Sequence, residues 1–218
     1  LLPMLGKSRD RAKFISCVSN LKQIGTGFEL YSNYYDGLIP PINPLEGYSG
    51  ESSNVIMDAD GNPRGLGLFV DVLQMQTKLL GCPLNVKARP KMIQEKWKTK
   101  SVVQSAFMYR QNDGKDIYVD QAIGTVTEDF NVKWAHKDNL HKGVVMDDAR
   151  WDGTDGAPDN TGAHNYDTVN ILKGDGHVLT MLNKKDFNSG LVHNGGENSI
   201  NAVWARIDQY KAEDLKRE

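Results

Sequence analysis

Over residues Leu1 to Gly37, apolar side chains fall at Phe14, Cys17, Val18, Leu21, Ile24, Phe28, Tyr31 and Tyr35. Steps of three and four place them on one face of a helix, with Lys7, Arg9, Asp10, Lys13, Ser19, Lys22, Gln23 and Glu29 at other angles. Asp36-Gly37 followed by Pro40-Pro41 supplies a stop, since glycine reaches the left-handed conformation of a helix end and proline cannot continue a helix. The pattern predicts an amphipathic helix over residues 1–37, roughly 50 Å long at about 1.5 Å per residue. Its first residues break the pattern. Leu1, Leu2, Met4 and Leu5 form an apolar cluster that gives way to Lys7-Ser8-Arg9-Asp10-Arg11. Such a cluster reads either as the end of a longer hydrophobic helix or as a locally packed terminus.

Further along, the periodicity changes. Residues 38–67 carry Pro40, Pro41, Pro44, Gly47, Gly50, Gly61, Pro63 and Gly65 without a lasting period, and read as surface loop. Leu66 to Leu80 is a second helix candidate, with Leu66, Phe69, Val70, Leu73 and Leu79-Leu80 near one face and Gly81-Cys82-Pro83 as its stop. Residues 84–100 are basic, with Lys87, Arg89, Lys91, Lys96, Lys98 and Lys100, and read as a solvated face.

From Ser101 the pattern turns to strands: Val102 to Tyr109, then Ile117-Tyr118-Val119 beyond a turn at Asn112–Lys115, then Gly143 to Met146. The clearest hairpin joins Thr168–Lys173 to His177–Leu182 through Gly174-Asp175-Gly176, whose glycines supply the positive φ of a tight turn. The tail from Asn198 to Arg217 is helical again, with Ile200, Val203, Trp204, Ile207, Tyr210 and Leu215 as its stripe. Local antiparallel strands with helices at both ends predict an α+β domain: a long helix at 1–37 and a head at 38–218 that share one core.

Composition narrows the classes. A chain of 218 residues with 39% hydrophobic and 25% charged side chains can bury a sizeable core. No run of eighteen apolar residues exists, so no segment of this sequence spans a bilayer as a helix. A formal net charge of −2 gives no overall footprint for nucleic acid or an anionic membrane. Two cysteines, Cys17 and Cys82, are too few for a metal knuckle.

Catalytic and ligand motifs are weak. Gly47-Tyr48-Ser49-Gly50-Glu51 lacks the final glycine of a nucleophile elbow. Gly25-Thr26-Gly27 and Gly65-Leu66-Gly67 lack the third glycine of a dinucleotide loop. Asp58-Ala59-Asp60-Gly61-Asn62 opens like a calcium loop but puts Pro63 and Phe69 where glycine and glutamate belong. Two clusters offer ligands. Asp147, Asp148, Asp152, Asp155 and Asp159 crowd a stretch around Trp151 and carry hard oxygens suited to calcium, against the plainer reading of a solvated acidic loop. His164, Asp175 and His177 would suit zinc if they converged, whereas an Asp-Gly turn needs its aspartate for backbone reasons alone. The structural reading is preferred for both, so no cofactor is expected.

A family resemblance runs through these landmarks. Leu1-Leu2-Pro3-Met4-Leu5-Gly6-Lys7-Ser8-Arg9, then Ser16-Cys17-Val18-Ser19-Asn20-Leu21-Lys22-Gln23-Ile24-Gly25 and Tyr34-Tyr35-Asp36-Gly37, resemble a bacterial type II secretion pseudopilin. More narrowly, the chain is similar to prepilin-like proteins with a C-terminal H-x9-DG signature. Arg64 to Leu68, Gly81-Cys82-Pro83, Val169 to Leu172 leading to Asp175-Gly176-His177-Val178, and Val203 to Asp208 add to the likeness. One departure is that ten residues, not nine, separate His164 from Asp175.

The resemblance implies a pilin-like fold and a structural role without catalysis. A basic leader, a processing site and an apolar membrane segment would precede Leu1. The subunit would sit in the inner membrane with a periplasmic or extracellular head and stack helix to helix with other pseudopilins or copies of itself, alongside the secretion or pilus assembly machinery. No nucleic-acid partner is implied. In an oxidising compartment a Cys17–Cys82 disulfide would persist, although Cys17 on the apolar stripe also reads as a small buried hydrophobe. The competing functional reading is a cell-surface carbohydrate- or ligand-binding module, with Tyr48, Tyr118, Trp134 and Trp151 available to stack on sugars.

Overall fold

The computed structural model describes residues 2–41, 52–85, 87–110, 124–126, 132–134, 142–147, 168–182, 204, 207 and 208. Helix α1 runs from Leu2 to Tyr34. Its end is the one the sequence predicts: Asp36 and Gly37 both take positive φ, and Gly37 N–H donates to the Ser32 carbonyl at 2.7 Å, closing the last turn. Cys17, Leu21, Ile24, Phe28 and Tyr31 are buried along one stripe. The stripe is shorter than the apolar pattern. Phe14 and Val18 are half-buried, Tyr35 is 39% exposed, and the polar Asn20 is buried.

Five antiparallel strands form the main sheet in the order β1-β2-β5-β6-β7, with β1 at Ser52–Met57, β2 at Val103–Arg110, β5 at Gly143–Asp147, β6 at Thr168–Lys173 and β7 at Val178–Leu182. Strands β3 (Gly124–Val126) and β4 (Val132–Trp134) pair separately. The chain is therefore α+β. The β6–β7 hairpin forms as its turn residues predict, with Gly176 at φ +85° and its N–H donating to the Lys173 carbonyl at 2.9 Å.

Helix α1 crosses β6 and β7 on one face of the sheet. Gly25 makes that crossing close: a Cβ there would stand 3.1 Å from Leu172 Cδ1. Alternation along the strands then sorts the core. Phe107, Tyr109, Val145 and Leu172 pack with the α1 stripe, whereas Met108, Met146, Ile171 and Met181 pack with Trp204 and Ile207. Trp204, Ile207 and Asp208 are helical, as the tail pattern predicts, and the first two are fully buried. Helical segments thus cover both faces of the sheet.

Two expectations need correction. The helix predicted over Leu66–Leu80 is broken into α2 (Gly67–Asp71) and a 3₁₀ turn at Thr77–Leu80. Between them Met75 N–H donates to the Phe69 carbonyl at 3.1 Å, and Gln74 takes a positive φ of 55°. This reversal carries Met75 and Phe69 back against Gly27 of α1, a tertiary contact that a continuous helix would forfeit. Second, the loop expected over 38–67 contains β1, an edge strand whose register slips twice, so its short Ser-Ser-Asn-Val-Ile-Met run shows no clean alternation. The basic stretch is a solvated face as expected, with Lys87, Arg89, Lys91, Lys96, Lys98 and Lys100 all exposed, and it also holds helix α3, Pro90–Lys98, started by proline at its first turn and seated through buried Ile93. Strand Ile117–Val119, its preceding turn and most of the Asn198–Arg217 tail lie outside the described residues.

Candidate functional site

The feature that stands apart is the division of α1 into a buried half and an exposed half. From Met4 to Ala12 every residue is exposed, with Met4 at 74% and Leu5 at 64%. One turn further on, the helix is fastened. Cys17 is joined to Cys82 by a disulfide with Cα atoms 5.4 Å apart, so the bridge is present in the structure and Cys17 is buried as well. Asn20 Nδ2 donates to the Gly81 carbonyl at 2.9 Å, which explains its burial. Gly81 in turn lies under α3: a Cβ there would stand 2.7 Å from the Pro90 Cα. Asn85 Oδ1 completes the loop by accepting from Lys87 N–H and Ala88 N–H, both at 2.9 Å. The segment 81–90 is thus a buckle against the Cys17–Asn20 turn. Ahead of the buckle, Lys13 pairs with Asp10 at 3.4 Å, and the Arg11 guanidinium stands 5.2 Å from the Phe14 ring centre.

Beyond the buckle the helix is held by aromatic packing. Phe28 meets Phe69 edge-on with ring centres 4.9 Å apart, and Tyr109 sends its hydroxyl to the Pro40 carbonyl at 2.9 Å. Burial and the neighbouring Tyr35 push the Tyr31 phenol up to about 12. Tyr109, wholly enclosed, is raised well above its ordinary value by desolvation.

Both candidate ligand clusters fall partly outside the described residues. Asp175 and His177 are exposed at the β6–β7 turn, where Asp175 Oδ1 accepts from His177 N–H at 3.0 Å and also meets its ring Nδ1. Asp175 therefore serves its own turn, and Gly176 supplies the positive φ. His164 lies outside the described residues. Of the acidic stretch, Asp147 belongs to β5 and is fully buried, with Oδ2 accepting from Asn170 N–H at 2.8 Å, so it is not a loop residue. Asp148, Asp152, Asp155 and Asp159 lie outside the described residues, as do Tyr48, Tyr118, Trp151 and the Gly47–Glu51 stretch; Trp134 ends β4. No group of three or more histidine, cysteine or acidic side chains that would hold a metal occurs among the described residues.

Three dismissed motifs acquire structural roles. Asp58 accepts from Asp60 N–H and Asn62 N–H, both at 2.9 Å, and from Arg64 Nε at 2.8 Å. The hydrogen bond from the Asn62 backbone, with help from Arg64, lowers its carboxyl to about 2. The cationic partner of this carboxylate is the Arg64 guanidinium. Gly27 and Gly67 permit close packing: a Cβ on Gly67 would collide with the Ile56 carbonyl oxygen.

Sequence reasoning missed a buried charged cluster on the far face of the sheet. Arg110 Nη1 donates to Asp208 Oδ2 at 2.8 Å and to the Gly143 carbonyl at 3.3 Å, while Gly143 N–H donates to Asp208 Oδ1 at 2.9 Å. Lys173 Nζ donates to the Ile207 carbonyl at 2.8 Å, and Arg110 lies 5.4 Å from the Trp204 ring centre. Burial lowers the pKa of both Arg110 and Lys173, and Asp208 opposes the shift. The cluster ties Ile207 and Asp208 to β2, β5 and β6.

Among the described residues no helix is long and apolar enough to cross a membrane. Compared with protein-family models, curated proteins and solved structures, the chain matches none of them.

Proposed function

We propose that this chain is the head and emerging helix of a pseudopilin-like fibre subunit with a pilin-like fold, anchored by an N-terminal membrane segment in the inner membrane and facing the periplasm or the cell exterior. Its role is mechanical: subunits stack through their first helices with copies of themselves or related pseudopilins, in contact with the assembly machinery, and no step of catalysis or cofactor use is assigned. The observation that carries the reading is the split in α1. A 33-residue helix has its second half fastened by Cys17, Asn20 and the aromatic stripe, while Met4 to Ala12 are all exposed. Apolar side chains exposed at 74% and 64% on a rigid rod suit burial against other subunits or lipid. The disulfide agrees with an oxidising compartment.

The test is site-directed cross-linking in cells that make the full-length protein with its assembly system. Leu5→Cys should yield subunit-to-subunit disulfides, and Leu5→Asp should abolish assembled fibre while leaving the head folded. Fibres formed normally by Leu5→Asp would refute the reading.

A further inference from the structure

The formal net charge of −2 conceals a strong asymmetry. Residues 1–13 carry four cations and one acid, and residues 87–100 carry six cations and one acid. Ten of the 26 cations and two of the 28 acids therefore lie in these two stretches, leaving −10 on the rest of the chain. The fold brings the start of the second stretch to the first. The Cys17–Cys82 bridge and the Asn20–Gly81 hydrogen bond fix the 81–90 segment against α1, and Arg89-Pro90 packs directly on Gly81. Lys87, Arg89 and Lys91 are exposed there, beside the turn at which α1 leaves the body. Lys13 is one helical turn ahead of Cys17, and Arg9 about two.

The arrangement on the helix is equally specific. Lys7 and Arg11 are four residues apart and share one side; Arg9 and Lys13 do the same, about 200° around the axis. The cations form a collar, not a stripe. A helix lying flat on a surface would put them on one face. A collar fits a helix that meets a charged surface end-on, with Met4 and Leu5 beyond it.

We propose that this cationic end docks on an anionic phospholipid surface, with α1 entering end-on and Lys87, Arg89 and Lys91 widening the contact to the head. This deepens the fibre-subunit reading by naming the surface on which the head rests before or during assembly. Lipid is favoured over nucleic acid because exposed apolar side chains lead the collar, while Phe14 and Trp97, the nearby aromatics among the described residues, are half-buried.

Flotation of the 218-residue chain with vesicles tests it. Phosphatidylcholine vesicles containing roughly 30% phosphatidylglycerol should bind at least about ten-fold more tightly than phosphatidylcholine alone, and the bound fraction should fall steeply as salt rises. The variant Lys87→Glu/Arg89→Glu/Lys91→Glu, with an unchanged melting temperature, should lose at least about ten-fold in partition. If that variant fails to fold, the salt titration of the unaltered chain decides. Equal binding to both vesicle types, no binding to either, salt-independent binding, or full binding by the folded charge-reversed variant would each overturn the proposal. Tighter binding to a single-stranded oligonucleotide than to the anionic vesicles would also overturn it. Vesicle binding without subunit cross-links in cells would sink the fibre reading and leave this one standing, and cross-links without vesicle binding would do the reverse.

Discussion

Leu21 and Leu5 stand on one helix and have opposite meanings. Leu21 is fully buried in the core beside Ile24 and Cys17, whereas Leu5 is 64% exposed. An aspartate at position 21 would bury a carboxylate in an apolar setting, so Leu21→Asp should destabilise the chain by about 4 kcal/mol or more. Leu5→Asp should stay within about 0.5 kcal/mol of the parent, as surface changes do. Urea unfolding of the two variants measures both. Asp58 makes a different prediction. Its carboxyl is lowered from an ordinary 3.8 to about 2, so the stability it contributes is full above the ordinary value and is lost as pH falls through the folded one. The stability gap between the parent and Asp58→Asn should therefore shrink as pH drops from about 4 to about 2. A gap independent of pH in that window would show that the hydrogen bonds to Asp58 do not favour its ionised form.

Among the elements, legibility followed the reach of the forces that shape them. Helix α1 and the β6–β7 hairpin were readable because their signals are local: a repeated apolar stripe with Asp36-Gly37 behind it, and a Gly-Asp-Gly turn between two apolar runs. The Leu66–Leu80 pattern misled because contacts distant in sequence decide it, namely Gly67 against Ile56 and Met75 against Gly27. Helix α3 was hidden by its charge, with Ile93 its one fully buried residue. In the candidate site, Cys17 and Cys82 could be named as a pair from sequence, but Asn20–Gly81 and Arg110–Asp208 could not. Their partners are 61 and 98 residues apart, with no motif to join them. The buckle gives a measurable consequence. Closing a separation of 65 residues contributes about 4 kcal/mol in the chain-entropy account. A Cys17→Ala/Cys82→Ala chain should lose roughly that much in denaturant unfolding, and two free thiols titrating in the unreduced, denatured parent would contradict the bridge itself.

On the scale of the whole molecule, one sheet is covered on one face by the second half of α1 and on the other by Trp204 and Ile207, the latter side tied by buried Arg110 and Lys173. Among the described residues, the tertiary contacts that hold α1 begin near Phe14, and Met4 to Ala12 are all exposed. This division is the central claim, since it separates a half of the helix that makes the fold from a half available to lipid or to other subunits. Native-state amide hydrogen exchange along α1 tests it most directly. Amides from about residue 21 to residue 31 should exchange only through global unfolding, and those ahead of about residue 13 should exchange orders of magnitude faster, with the step falling just before Cys17. Uniform protection from residue 6 through residue 31 would contradict the account, because it would make the first turns part of the domain's cooperative core.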